Sequence, residues 1–144
     1  GEGVNKDVAQ AAKYYKLSAA QGNAIGQWRY GLCLYNGEGV SSDLAQAAEN
    51  YKLSADQGNA EGQLMYGLCL RNGEGVPRSP IQAANYFKLS ADQGNAEGQL
   101  MYGLCLYRGE GVGKDVAQAT RYFKLSADQG NAEGQWRYNF CPHD

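Results

Sequence analysis

The tetrapeptide Gly-Glu-Gly-Val stands at residues 1, 37, 73 and 109, so the 144-residue chain is a 36-residue unit written four times without an insertion. Between residues 37–72 and 73–108, 26 of 36 positions are identical. The string Lys-Leu-Ser-Ala-Asp-Gln-Gly-Asn-Ala-Glu-Gly-Gln recurs unchanged at 52–63, 88–99 and 124–135. Units this alike must share one local structure, which restricts the fold to stacked copies of a single supersecondary element.

Early in each unit comes Asp7, Asp43, Ser79 or Asp115, followed three residues on by Gln10, Gln46, Gln82 or Gln118. This spacing predicts a helix N-cap in which the short side chain accepts from an early N–H and the glutamine amide reaches back. Pro80 follows Ser79, in the first helical turn where a missing N–H costs nothing. Leu44, Ala47, Ala48, Tyr51 and Ala55 then recur at helical spacing and predict a helix to about Gln57, ended by Gly58 in a left-handed conformation.

A second helix is expected from Ala60 to about Arg71, capped by Asn59 and closed by the Asn72-Gly73 turn. Gln63, Tyr66, Gly67 and Leu70 form one stripe on it, and Glu61, Leu64, Leu68 and Arg71 form another. Gly67, repeated as Gly31 and Gly103, costs about 1 kcal/mol inside a helix relative to alanine, so it marks a close approach to the paired helix.

Composition supports stacking over a central core. Leu, Ile, Val and Phe number 24 of 144 residues, while Ala contributes 19, Tyr 11 and Gly 20. Small residues and tyrosines suit thin interfaces between neighbouring helix pairs, and a pair alone cannot bury both faces. The expected fold class is therefore all-α: an α-solenoid of four units, 1–36, 37–72, 73–108 and 109–144, in one domain that belongs to a longer chain.

The string Asn59-Ala60-Glu61-Gly62-Gln63, Tyr66-Gly67 and Asn72-Gly73-Glu74-Gly75-Val76, continued by Ala83-Ala84, Tyr86-Phe87-Lys88 and Ala91-Asp92-Gln93-Gly94-Asn95, resembles the Sel-one-like repeat. That family is related to the tetratricopeptide repeats. In its framing the chain opens in an interhelical loop and holds whole repeats at Ala24 to Asn59, Ala60 to Asn95 and Ala96 to Asn131. The resemblance implies a right-handed superhelix of antiparallel pairs and a scaffold or adaptor that holds peptides or folded partners.

In the related fold the first helix of each pair lines the concave face. Carried onto this chain, the lining would be Ile25, Trp28, Leu32, Tyr35 and Asn36, then Glu61, Leu64, Leu68, Arg71 and Asn72. Glu97, Leu100, Leu104, Tyr107 and Arg108 continue it, and Glu133, Trp136 and Phe140 end it. Leu64, Leu68, Leu100 and Leu104 lie about 100° or more round the helix from Gly67 or Gly103. They are expected to form an exposed apolar groove flanked by Glu61, Glu97, Arg71 and Arg108, with Trp28 and Tyr107 as side anchors.

Other chemistries find little footing. Cys33, Cys69, Cys105 and Cys141 fall one per unit, about 10 Å apart if the helices stack, beyond disulfide reach. They read as buried thiols in a reducing, cytoplasmic setting, with no metal pair among them. The Gly-Glu-Gly-Val loops lack phosphate-loop spacing and read as turns in which Gly37 caps a helix and Val40 packs between units. His143 is the only imidazole, and Asn139, Phe140 and Pro142 adapt the last unit to a chain end.

Thirteen basic and 15 acidic residues, with no basic run, argue against nucleic acid, and no apolar stretch is long enough to span a bilayer. No cofactor, metal or catalytic residue is expected. The functional expectation is a non-enzymatic scaffold for a peptide or partner helix. The alternative is self-association, end to end, through terminal helices that lack a neighbour.

Overall fold

The computed structural model describes residues 2–141, with side chains from Lys6 to Cys141; His143 and Pro142 lie outside the described residues. The chain forms two compact units, Gly1–Arg78 and Ser79–Asp144. The first holds α1 (Glu2–Ala20), α2 (Ala24–Asn36), α3 (Leu44–Asp56) and α4 (Ala60–Asn72), and the second α5 (Pro80–Asp92), α6 (Ala96–Arg108), α7 (Val116–Asp128) and α8 (Ala132–Phe140).

In the first unit consecutive helices pack on one another and α2 also lies alongside α4; in the second, α5, α6, α7 and α8 pack in the same sequence. Every regular element among the described residues is an α-helix. Each unit is thus a stretch of the expected α-solenoid, in which a helix pair covers itself against the next.

The caps follow the local chemistry. Asn23, Asn59, Asn95 and Asn131 each accept the N–H of the glycine three residues on, at 2.7–2.9 Å. Asp43 accepts from the Gln46 N–H at 3.0 Å, Ser79 from Gln82 at 3.3 Å and Asp115 from Gln118 at 3.0 Å. Pro80 occupies the first helical turn, Gly58 has φ +86°, and Gly37 caps α2 with φ +69°.

Two features of the caps differ from expectation. The backbone N–H of Asp43 donates to the Leu34 carbonyl at 2.9 Å, and that of Asp115 to Leu106 at 2.9 Å. The preceding helix thereby satisfies the donor that a reciprocal glutamine would have served. Asp7 lies inside α1, which starts at Glu2, so it caps nothing. The copies of this loop at Gly37, Gly73 and Gly109 each begin as the left-handed cap of a helix just ended.

The core is built of alanines and aromatic rings. Ala47, Ala48, Ala83, Ala84 and Ala119 are buried, as are Tyr51, Phe87 and Phe123. The alanines bring helix axes close enough for the rings to reach across. At Gly31 a Cβ would sit 2.6 Å from Tyr51 Cε1, and at Gly103 2.6 Å from Phe123 Cε1. The mid-helix glycines therefore mark helix contact, as their spacing predicted. Tyr30, Leu34, Tyr66 and Leu70 are buried too.

Polar bonds recur at fixed offsets within this core. The buried Ser54 hydroxyl donates to the Ala24 carbonyl at 2.7 Å, and Ser126 to Ala96 at 2.8 Å. The Gln57 amide donates to Gln27 Oε1 at 2.7 Å, and Gln129 to Gln99 at 2.8 Å. A buried hydroxyl or amide left unpaired would cost about 1–3 kcal/mol, so these bonds hold one register between pairs.

Candidate interaction surface

Where α2 lies beside α4, the first unit contains a cavity of about 240 Å³. Leu32, Tyr35 and Asn36 reach it from α2, Tyr51 from α3, and Met65, Leu68, Cys69, Arg71 and Asn72 from α4, with Glu74 from the loop beyond. The helical period explains the set: Leu32, Tyr35 and Asn36 share a flank of α2, and Met65, Leu68 and Asn72 share the facing flank of α4.

The wall is mainly apolar and the rim is a chain of hydrogen bonds. Tyr35 donates to Glu74 Oε2 at 2.6 Å, Asn72 Nδ2 donates to Glu74 Oε1 at 3.2 Å, and Arg71 Nε donates to Asn72 Oδ1 at 3.2 Å. One guanidinium and one carboxylate thus share the mouth. An apolar hollow edged by satisfied polar groups is suited to receive a side chain of another molecule.

The residues expected from sequence separate into three groups. Leu32, Tyr35, Leu68 and Arg71 come together at this cavity. Leu64, Leu100 and Leu104 do not form part of an exposed groove, because they are 4 %, 3 % and 8 % exposed. In α2 the same flank carries Leu32 and Tyr35 towards α4, so this stripe is one that packs instead of one that faces outwards. Trp28 and Glu61 are half-buried, and Glu97, Tyr107 and Arg108 are exposed. The Arg29 guanidinium lies 4.6 Å from the centre of the Trp28 ring, a cation–π contact that occupies one face of that expected anchor.

The second unit repeats the cavity on a smaller scale. Tyr107, Phe123, Trp136, Arg137, Phe140 and Cys141 line about 90 Å³, at positions equivalent to Tyr35, Tyr51, Leu64, Met65, Leu68 and Cys69. Trp136, Arg137 and Phe140 are bulkier than their counterparts. Arg137 stacks on Trp136 at 5.0 Å, and Trp136 packs on Phe140 at 5.3 Å. On α8, Trp136 is 54 % exposed and Phe140 72 %.

Sequence reasoning missed Tyr51, Met65, Cys69 and Glu74 as cavity residues. One signal was available for Tyr51: the equivalent residues of the later units are Phe87 and Phe123. Burial pushes the Cys69 thiol up to about 12 and raises Cys33 as well, so both stay protonated near neutral pH. Burial likewise raises the Tyr51 phenol. All four cysteines are buried thiols outside any disulfide, as their spacing predicted. No helix among the described residues is long and apolar enough to cross a membrane.

Known proteins share this architecture. The family model described as Sel1 repeat matches residues 1–23, 24–59, 60–95 and 96–131. A Sel1 repeat protein from Oxalobacter formigenes superposes with a TM-score of 0.83 at 27 % identity, over 90 % of this chain and 52 % of that one. The protective antigen c5321 of uropathogenic Escherichia coli, which displays an SLR fold, gives 0.85 at 31 % identity, over 94 % of this chain and 31 % of that one. Helicobacter pylori cysteine rich protein B shares the fold with a TM-score of 0.69 at 21 % identity, over 92 % and 95 % of the two chains. The chain thus spans about half the length of the first of these and under a third of the second. No curated protein matches it.

Proposed function

Because the chain belongs to the Sel1 repeat family, whose members generally mediate protein–protein interaction and are typically non-catalytic scaffolds, we propose that it holds an extended peptide or partner helix on the face carried by α2 and α4. Leu32, Tyr35, Leu68 and Arg71 are the central contacts. The observation that carries this reading is the cavity of about 240 Å³, with its apolar wall and hydrogen-bonded rim. Aromatic and arginine side chains beside such hollows supply a large share of interface energy.

The test is selection of peptides from a random phage library on the full chain, followed by anisotropy titration of synthetic copies. Leu68→Glu should weaken binding at least about tenfold, or about 1.4 kcal/mol, with the helical circular dichroism unchanged. Peptides that bind wild type, Leu68→Glu and Leu32→Glu alike would show the reading to be wrong.

A second reading is end-to-end self-association. What favours it is the contrast between Trp136 and Phe140, which are exposed on α8, and Leu100 and Leu104, their buried counterparts on α6. Sedimentation velocity over a concentration series decides: a monomer throughout excludes stacking, and self-association abolished by Trp136→Glu supports it.

A further inference from the structure

We propose that the cavity of the first unit is a pocket for a tyrosine side chain of the bound segment, with the Tyr51 hydroxyl as its hydrogen-bonding partner. This rests on the scaffold reading above and names what that site selects.

Tyr51 is 2 % exposed and its ring edge is pressed against Gly31. Burial keeps its phenol neutral. Its hydroxyl makes no hydrogen bond with any described residue, although the residue lines the cavity. Packing does not require that oxygen, since Phe87 and Phe123 fill the equivalent places at 0 % and 1 % exposure. The oxygen is not a sealed orphan, since among the described residues Arg137 Nε is the buried side-chain polar atom without a partner; it opens to the cavity and is available to whatever fills it.

Size and wall chemistry narrow the occupant. The second unit closes its cavity to about 90 Å³ with Trp136, Arg137 and Phe140, whereas Met65 and Leu68, the counterparts of the last two, leave about 240 Å³ in the first. An apolar cavity of about 150 Å³ already accepts benzene. The Met65 thioether and two leucines favour a ring over an aliphatic chain. Arg71 and Glu74 offset each other at the mouth, so no net charge selects an ionic group. A ring entering tip-first carries a para hydroxyl towards the buried wall, where it can both accept from and donate to Tyr51; an indole N–H sits on the flank of its ring.

The chain has two methionines, Met65 in the cavity and Met101 in the other unit, so ¹³C-methyl-methionine labelling gives a reporter and a control in one spectrum. The probes are p-cresol, the tyrosine side-chain analogue, and toluene, the phenylalanine analogue. In wild type the Met65 methyl should shift saturably, with p-cresol binding about five- to tenfold tighter than toluene, the worth of one hydrogen bond. Tyr51→Phe, which the later units show to be sterically acceptable, should fold normally and bind the two probes equally. Equal binding of the probes to wild type, an unmoved Met65, or a preference that survives Tyr51→Phe each overturns the tyrosine pocket. None of those results touches the scaffold reading, which falls only if the selected peptides are indifferent to Leu68→Glu and Leu32→Glu.

Discussion

The hydroxyl of Tyr35 donates a 2.6 Å hydrogen bond to the carboxylate of Glu74, 39 residues further along the chain. The bond joins the end of α2 to the loop after α4 and so holds the mouth of the cavity. Tyr35→Phe should cost about 1 kcal/mol, a modest value because the pair is partly exposed, and lower Tm by about 3 °C. A thermal melt of the variant beside wild type reads this, and an unchanged Tm would mean the loop is held by other contacts.

The Ser54 side chain that donates to the Ala24 carbonyl is buried. Ser54→Ala should destabilise by about 1 kcal/mol, and Ser126→Ala, which removes the matching bond to Ala96, by a similar amount. Urea titration measures both. A large loss at one site with none at the other would show that the repeats do not share their energetics.

Gly103→Ala places a methyl 2.6 Å from the Phe123 ring. The clash should cost about 2 kcal/mol, despite a gain of about 1 kcal/mol in helix propensity. Phe123→Leu removes the obstructing ring atoms, so the double variant should lose less than the two single losses combined. Strict additivity in a double-mutant cycle would reject this contact as the reason for the glycine.

Alkaline pH should destabilise the fold through its buried acids. Burial raises the Cys69 thiol from 9.0 to about 12, and it is the first cause of the upward shifts of Cys33, Tyr51 and Tyr66. A raised folded-state pKa means that the unfolded chain loses its proton first, so stability is full below about pH 9 and falls as pH rises towards 12. Urea midpoints between pH 7 and 11 should show the decline, and Cys69→Ala should make it shallower. A slope that Cys69→Ala leaves unchanged would assign the loss to other groups.

Most of the fold could be read from residues close in sequence. Asn59 capping, the left-handed Gly58 and the limits of α3 and α4 within a residue or so all follow from chemistry spanning four positions. The contact marked by Gly31 was legible because a glycine inside a helix needs a reason. What could not be read locally involved neighbours a whole repeat away. Asp43 gives its N–H to Leu34 instead of Gln46, and Leu64 and Leu100 are buried although a lone helix pair would expose them. The cavity was half legible: Leu32, Tyr35, Leu68 and Arg71 share a predicted stripe, whereas Met65 sits beside that stripe on α4, and Tyr51 and Glu74 reach the cavity from α3 and the loop.

The cross-pair bonds carry a genetic consequence. Ser54 to Ala24, Gln57 to Gln27, Ser126 to Ala96 and Gln129 to Gln99 all span 30 residues, while the unit itself is 36 residues long. Unequal crossover between two copies of the coding repeat deletes or adds a whole unit and returns every serine and glutamine to a partner of the same kind. Such a gene can lengthen or shorten its product in one event, with the new junction already hydrogen-bonded, and pocket-defining substitutions such as Tyr51 for Phe can spread to, or vanish from, neighbouring units by the same exchange.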